Sequence, residues 1–311
     1  MNKKEKWTQK DMPDLSNKIA IITGANSGIG FQDARHLSGK GATVIMGCRN
    51  LEKGEHARQL ILNENSNAKL DLMELDLSFL DSVRNFSTSV QEKYDHVDIL
   101  INNAGVGDNR FSRTKDGFEL HFGINYLGHF ALTGLLLPSI VKVKGSRIVS
   151  MSSRSRGGKI DFDDINCEKR KYHVVRDNLY GRSKLACLLF ALELDDRLKK
   201  NGYSTISLAA HPGISRTGIF SRVSLFERIL FYGILRFFSM SAEGGSRSVL
   251  YAATAPEAKG GSFYGPGGRG QAKGFPKEID LTKKPDAEKL TKENRVRLWK
   301  VSEEMTNIKY L

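Results

Sequence analysis

Short apolar runs that alternate with stretches of helical length set the tightest limit on what this chain can fold into. The runs are Ile19–Thr23, Thr43–Cys48, Lys69–Leu75, Val97–Ile101, Arg147–Met151 and Thr205–Ala209, with a shorter one near Ser262–Tyr264. Several show no polar alternation, the pattern of strands covered on both faces. The segments Ile29–Lys40, Leu51–Glu64 and Asp81–Lys93 between them are long enough to be helices. Such alternation builds βαβ units, so the expected fold class is α/β: a doubly wound parallel sheet of about seven strands with helices on both faces. No Pro- or Ser-rich linker and no repeat divides the chain. A single domain is therefore expected over 18–311, ending in a helix near Glu293–Glu304 and preceded by a polar extension over 1–17 with a charged opening, Asn2 to Lys10.

Composition removes several function classes. The 311 residues carry a formal net charge of +13, but the basic residues are dispersed along the chain. The tight clusters, Lys3–Lys4 with Lys6, Lys169–Lys171 and Lys199–Lys200, are not interleaved with aromatics as a single-strand stacking platform requires. No nucleic-acid partner is expected, and the charge fits a basic surface with a site for an anionic cofactor. The three cysteines, Cys48, Cys167 and Cys187, form no CxxC pair, so neither a zinc site nor any other metal is expected. Residues 1–17 lack an apolar signal core. A cytoplasmic location is expected.

The first strand runs into Thr23-Gly24-Ala25-Asn26-Ser27-Gly28-Ile29-Gly30, within which a helix should begin. Glycines let a backbone approach a pyrophosphate, and a helix N-terminus presents free N–H groups and a favourable dipole. A glycine-rich turn alone says little, but after a buried strand that opens a βαβ array it points to a dinucleotide. At the end of the second strand, about 20 residues past the glycines, many such folds place an acid against the ribose hydroxyls. Here Gly47-Cys48-Arg49-Asn50 offers none. The guanidinium of Arg49 suits a 2′-phosphate, so NADP(H) is the expected cofactor. Asp76 and Leu77 after the third strand, and Asn103, Ala104 and Gly105 after the fourth, lie where such sheets bind ligands, beyond the carboxyl ends of the strands.

Tyr180 and Lys184 stand four positions apart at the head of an apolar-periodic stretch running from Leu185 to Leu198. On a helix such residues share a face, and a neighbouring ammonium favours the phenolate, which makes tyrosine a usable proton donor and acceptor. The fifth strand ends in Ser152-Ser153, where a hydroxyl can hold a substrate oxygen. Asn125 sits inside an apolar helical stretch, a costly position for an amide without a role. After the sixth strand come Pro212, Gly213, Ile214 and Thr217, with Thr217 in reach of a nicotinamide carboxamide.

The ordered set TGxxxGIG, NNAG, Asn125, Ser-Ser, YxxxK and PGxxxT, over residues 18 to about 217, resembles the short-chain dehydrogenase/reductases. Within that family Gly47–Asn50, Glu52-Lys53-Gly54 and Arg297–Ser302 look like the branch of the retinol dehydrogenases and WW-domain oxidoreductases with their bacterial relatives. The resemblance implies a Rossmann-like fold and a carbonyl/alcohol oxidoreductase. It implies Tyr180 as acid/base, Lys184 on the nicotinamide ribose and lowering the tyrosine pKa, Ser153 on the carbonyl oxygen, and Asn125 holding a water in a proton relay. Gly24, Gly28 and Gly30, with Asn26, Ser27 and Ile29 between and beside them, would form the phosphate loop. Asp76 and Leu77 would flank the adenine and Asn103 to Gly105 would line its ribose, with Arg49 and Asn50 expected as cofactor contacts at the end of the second strand. The family often has asparagine where this chain has Ser150, and Ser152 competes with Ser153 as the oriented hydroxyl.

The family places a substrate lid at about 213–240, and here that stretch is rich in aromatic and apolar residues, interrupted by Arg222, Arg228 and Arg236. A lipophilic aldehyde, ketone or alcohol is the expected substrate, with contact to a membrane surface through 220–240 and a homo-oligomer as further expectations. A non-catalytic NADP-binding regulator on the same fold is the alternative, against which the complete Asn–Ser–Tyr–Lys set speaks. A sugar-nucleotide epimerase shares YxxxK but not the NNAG and Asn125 pattern.

Overall fold

In the computed structural model, residues 6–107, 110–213, 240–284 and 287–311 are described. They form one eight-stranded sheet in the order β3-β2-β1-β4-β5-β6-β7-β8. The strands are β1 (Ile19–Thr23), β2 (Thr43–Cys48), β3 (Lys69–Glu74), β4 (Ile99–Asn102), β5 (Arg147–Met151), β6 (Ile206–Ala210), β7 (Phe263–Pro266) and β8 (Pro276–Glu278). The first seven run parallel, in registers such as Ile21↔Ile45, Ile21↔Leu100 and Val149↔Leu208, and β8 pairs antiparallel to β7 through Tyr264↔Glu278. β8 is the one strand beyond the seven expected from the sequence. It is three residues long, polar and led by proline, so no apolar run announces it. An edge strand needs main-chain partners on only one side.

The helices are α1 (Gly28–Gly39), α2 (Leu51–Glu64), α3 (Leu80–Lys93), α4 (Gly128–Ile140), α5 (Leu179–Lys200), α6 (Ala242–Thr254) and α7 (Lys292–Thr306). Successive strand residues face opposite sides. Ile21, Ile45, Leu100 and Ile148 therefore enter a core with α3, α4, α5 and α7, centred on Phe130, Phe190 and Trp299. Ala20, Ile22, Val44, Met46, Ile101 and Val149 enter the other, with α1, α2 and α6.

Two segments differ from expectation. The stretch before β1 is not a detached polar extension from residue 6 onward. Trp7, Met12 and Leu15 are buried in the second core, Trp7 stands edge-on to Tyr251 at 5.4 Å, and the Gln9 amide donates to the Glu243 carbonyl at 2.8 Å. The apolar segment Leu120–Ile140 has the length and composition to cross a bilayer, yet 89% of its most apolar window is buried between the sheet and its neighbours. Its beginning is not regular α-helix. A single turn at Leu120–Phe122 leads into a π-helical turn over Gly123–Leu127, closed by the Gly128 N–H on the Gly123 carbonyl, before α4 begins.

Candidate active site

The glycine turn after β1 is tight because backbone packs on backbone. Gly24 has φ +68° and donates its N–H to Gly47 at 2.7 Å. A Cβ on Gly30 would lie 2.5 Å from both the Gly24 carbonyl oxygen and the Asn103 side-chain amide. α1 starts at Gly28 behind Ser27, whose hydroxyl makes no capping bond, so the first amides of the helix carry no cap among the described residues. The loop and helix end thus have the shape and dipole a pyrophosphate needs. Below them Cys48 is buried, and the amides of Ala25 and Asn26 point at its sulfur; burial pushes its thiol up to about 11.

Thr23 joins this loop to the one after β4. Its hydroxyl accepts the N–H groups of Asn103 and Ala104, each at 2.9 Å, while the Asn103 amide donates to the Thr23 carbonyl at 2.8 Å. The same hydroxyl lies 2.8 Å from Nε2 of His129, whose Nδ1 lies 3.0 Å from the Asn125 carbonyl. A carbonyl can only accept, so Nδ1 carries the proton and Nε2 accepts from Thr23. Burial holds His129 neutral, with its pKa pushed down to about 3. The π turn explains how Asn125 serves this chain. A wider turn releases carbonyls from the helical ladder, and that of Asn125 takes the His129 N–H and the Cys187 thiol, 3.1 Å away.

The Asn125 side chain is fully engaged. Its Oδ1 accepts from the Val106 N–H at 2.7 Å, and its amide donates to the Val106 carbonyl at 3.1 Å and to the Ser183 hydroxyl at 2.9 Å. Ser183 passes its own proton to the Tyr180 carbonyl at 2.7 Å. Asn125 therefore ties the loop after β4 to the first turn of α5, which carries Tyr180 and Lys184. The Lys184 ammonium is buried and donates to the Met151 carbonyl at 3.0 Å, at the end of β5. A Cβ on Gly105 would stand 3.3 Å from that ammonium and 3.1 Å from Asn125 Oδ1. A side chain there would press on both groups.

Of the two serines after β5, Ser152 is buried and its hydroxyl donates to the Lys184 carbonyl at 2.7 Å. Ser153 is partly exposed, and its hydroxyl accepts the Ser155 N–H at 3.0 Å. Ser152 thus ties α5 to β5, while the Ser153 hydroxyl keeps its proton free to donate.

Behind Tyr180 lies a charged cluster that sequence reading missed. Glu119 and His121 are wholly buried, with Nδ1 of His121 2.9 Å from Glu119 Oε1. Glu119 Oε2 accepts the Phe122 N–H at 2.9 Å and faces the buried Arg182 guanidinium at 3.7 Å. Arg182 also donates to the Ile165 carbonyl at 3.1 Å, fixing the loop between β5 and α5. Burial pushes the Glu119 carboxyl up, but His121 and the amides of His121 and Phe122 outweigh it and leave the carboxyl below its usual range. The only local signal was the sequence Glu119-Leu120-His121 before the expected helix.

The other expected residues sort as follows. Arg49 is exposed at the end of β2 and makes no hydrogen bond or ion pair among the described residues. Asn50 caps α2 by accepting the Lys53 N–H at 2.7 Å. Asp76 is mostly buried, accepts from Ser78 and pairs with Lys115 at 3.1 Å, and Leu77 is buried with its backbone against Gly128. Pro212 and Gly213 follow β6 at the same sheet edge, Gly213 with φ +73° and its N–H on the His211 ring at 3.1 Å. Ile214, Thr217 and the expected lid to residue 239 lie outside the described residues, as does most of the segment assigned to membrane contact.

Comparison with known proteins gives this geometry a family. The profile of the short-chain dehydrogenases matches residues 18–227. Human retinol dehydrogenase 13 is 45% identical over 204 residues, which cover 65% of this chain and 60% of that protein, so the match spans under two thirds of that relative's length. Mouse retinol dehydrogenase 14 is 37% identical over 307 residues, 94% of this chain and 87% of the relative. Among solved structures, an uncharacterised protein from Mycobacterium paratuberculosis superposes with a TM-score of 0.78 at 36% identity, covering 98% of this chain and 99% of the other. By its motifs, its sheet order and these relatives, the chain belongs to the short-chain dehydrogenase/reductase family, in the branch of the retinol dehydrogenases.

Proposed function

We propose that the chain is an NADP(H)-dependent oxidoreductase that interconverts a carbonyl and an alcohol, on a lipophilic substrate. The observation that carries this reading is the Asn125 junction, which bonds the loop after β4 to the helix turn holding Tyr180 and Lys184. Tyr180 is the proton donor to the carbonyl oxygen in reduction and the acceptor in oxidation. Ser153 donates a hydrogen bond to that oxygen and fixes it. Lys184, anchored on Met151, presents its remaining N–H groups to the ribose hydroxyls of a nicotinamide nucleotide. Asn125 acts through Val106 and Ser183, keeping these groups in register.

When bound, the nicotinamide supplies or accepts the hydride. The glycine turn, the unpartnered N-terminus of α1 and the close packing at Gly30 support a pyrophosphate there. Arg49 at the β2 end, without an ion pair among the described residues, supports a 2′-phosphate rather than a bare ribose. Relatives named retinol dehydrogenases support a lipophilic substrate.

The test is NADPH oxidation, followed by absorbance, with aliphatic, aromatic and retinoid carbonyls. Tyr180→Phe should lower turnover by roughly 10²–10⁴-fold while NADPH still binds. Equal turnover in the variant would remove Tyr180 from the chemistry, and NADPH binding without turnover of any carbonyl would favour a regulator.

A further inference from the structure

Beyond Ser153 the sheet edge opens into a cavity of about 690 Å³ between the β5–α5 loop and the chain from β7 to β8 and onward. Its walls bring together six cations from two stretches of the sequence: Arg154 and Arg156 after β5, and Lys277, Lys283, Lys284 and Lys289 on and after β8. Two acids share the lining, and both are engaged. Asp280 pairs with Lys283 at 3.0 Å, and Glu278 accepts the Ser262 hydroxyl at 2.6 Å. Lys277, Lys284 and Lys289 have no carboxylate at ion-pair distance among the described residues.

The cavity wall adjoins the chain at Ser153, through Arg154 and Arg156. Arg156 donates to the Ser153 carbonyl at 3.3 Å and lies over the Phe263 ring at 4.6 Å, while Arg154 donates to the Gly270 carbonyl at 3.3 Å. A Cβ on Gly213, in the turn after β6, would strike Pro266, another lining residue. The cofactor's phosphates do not account for the charge. The glycine turn follows β1, four strands from β7 in the sheet, and at about 4.8 Å per strand that is roughly 19 Å away. Ser153 follows β5, three strands from β8, which carries Lys277, or about 14 Å across the sheet.

We propose that this basin binds the anionic end of the substrate, a carboxylate or a phosphate-like group carried on the same molecule as the reacting carbonyl and about 14 Å from it. The proposal rests on the carbonyl/alcohol reading and narrows it, from a lipophilic substrate to an amphipathic one with an acidic terminus. A concave pocket beside Ser153 fits a small molecule better than it fits a flat surface. Clustered lysines act on an anion as point charges, so the effect should weaken with salt.

The test compares a medium-chain ω-carboxy aldehyde with its methyl ester, in the intact protein with NADPH. The acid should be favoured in kcat/KM, and in the triple variant Lys277→Gln, Lys284→Gln, Lys289→Gln this preference should fall by about tenfold. A preference unchanged by the variant, or absent from the start, overturns the proposal. A second measurement needs no turnover: a medium-chain dicarboxylate, titrated calorimetrically into the NADPH complex. Lysine-dependent binding of this probe, even if no aldehyde reacts, supports the basin and places the failure in the carbonyl reading. Lysine-dependent sedimentation with phosphatidylglycerol vesicles, without dicarboxylate binding, assigns the anion to a lipid surface and overturns the small-ligand proposal.

Discussion

His121 stands edge-on to Tyr180, with ring centroids 6.3 Å apart and planes at 85°. That histidine is held from behind by Glu119, and Glu119 faces Arg182, two residues beyond Tyr180. Removing one partner from a buried charged set leaves the others uncompensated, at about 3–5 kcal/mol. Glu119→Ala should lower stability to urea by that order and reduce kcat beyond what unfolding explains, with NADPH affinity less affected. Glu119→Gln keeps the shape and should recover part of both. The carboxyl pKa is lowered by folding, so its contribution is complete above its ordinary value near 4.5 and fades as pH falls through the folded value. Equal kcat in Glu119→Ala at temperatures where it is folded would show that the cluster serves stability alone.

Two buried histidines give the fold a second acid limit with a different window. His129 and His211 both have pKa values pushed down to about 3 by burial, with Arg156 adding to the effect at His211. A histidine held neutral in the folded state and free to charge in the unfolded one contributes fully above about 6.5. That contribution is lost as pH falls from there toward 3, because the unfolded chain binds the proton first. Each histidine should steepen the loss by up to about 1.4 kcal/mol per pH unit. Urea midpoints between pH 7 and pH 4.5 should show the slope, and His129→Gln should flatten it. An unchanged slope would mean that His129 is protonated in the folded protein.

The parts of this molecule legible in its sequence are those written in local periodicity. β1, β2 and β5 fall where their apolar runs end, and the glycine turn leads into α1 as its spacing demands. The Thr23–His129–Asn125 chain could not be read in the same way. It joins residues on three elements, and the π turn that frees the Asn125 carbonyl has no periodic mark. Asn125 was recognisable as an amide out of place, but its partners, Val106 and Ser183, depend on tertiary packing. Trp7 was lost among the charged residues before β1, since one aromatic makes no pattern. The six cations of the basin form two groups in the sequence, 154–156 and 277–289, and only the fold brings the second against the first.

The close approach at Gly30 makes its own prediction. An added methyl would meet the Asn103 amide and the Gly24 carbonyl, neither of which is the free end of a flexible chain. The Asn103 amide is also bonded to Thr23, so Gly30→Ala displaces the loops after both β1 and β4. Overpacking of this kind costs about 1–3 kcal/mol. NADPH affinity should fall at least about tenfold, a drop equivalent to about 1.4 kcal/mol. Isothermal titration on the folded variant separates this from instability, and unaltered affinity would place the pyrophosphate elsewhere.

Arg49 separates the two nicotinamide cofactors most directly. Its guanidinium is exposed at the carboxyl end of β2 and has no ion pair among the described residues, so replacing it should change stability by no more than about 0.5 kcal/mol. A hydrogen bond to a charged group contributes about 1.5–3 kcal/mol, and an aspartate at this position would add repulsion to a 2′-phosphate. The same aspartate could accept from the 2′-hydroxyl of NADH. Arg49→Asp should therefore shift the ratio of kcat/KM for NADPH over NADH by on the order of 100-fold or more toward NADH. Arg49→Gln, which removes the charge without the repulsion, should give an intermediate shift. The wild-type preference should weaken with added salt, since the site is open to solvent. A ratio that stays constant through both substitutions would mean that the 2′-phosphate is recognised by another residue, or that the chain does not distinguish the two cofactors at this strand end.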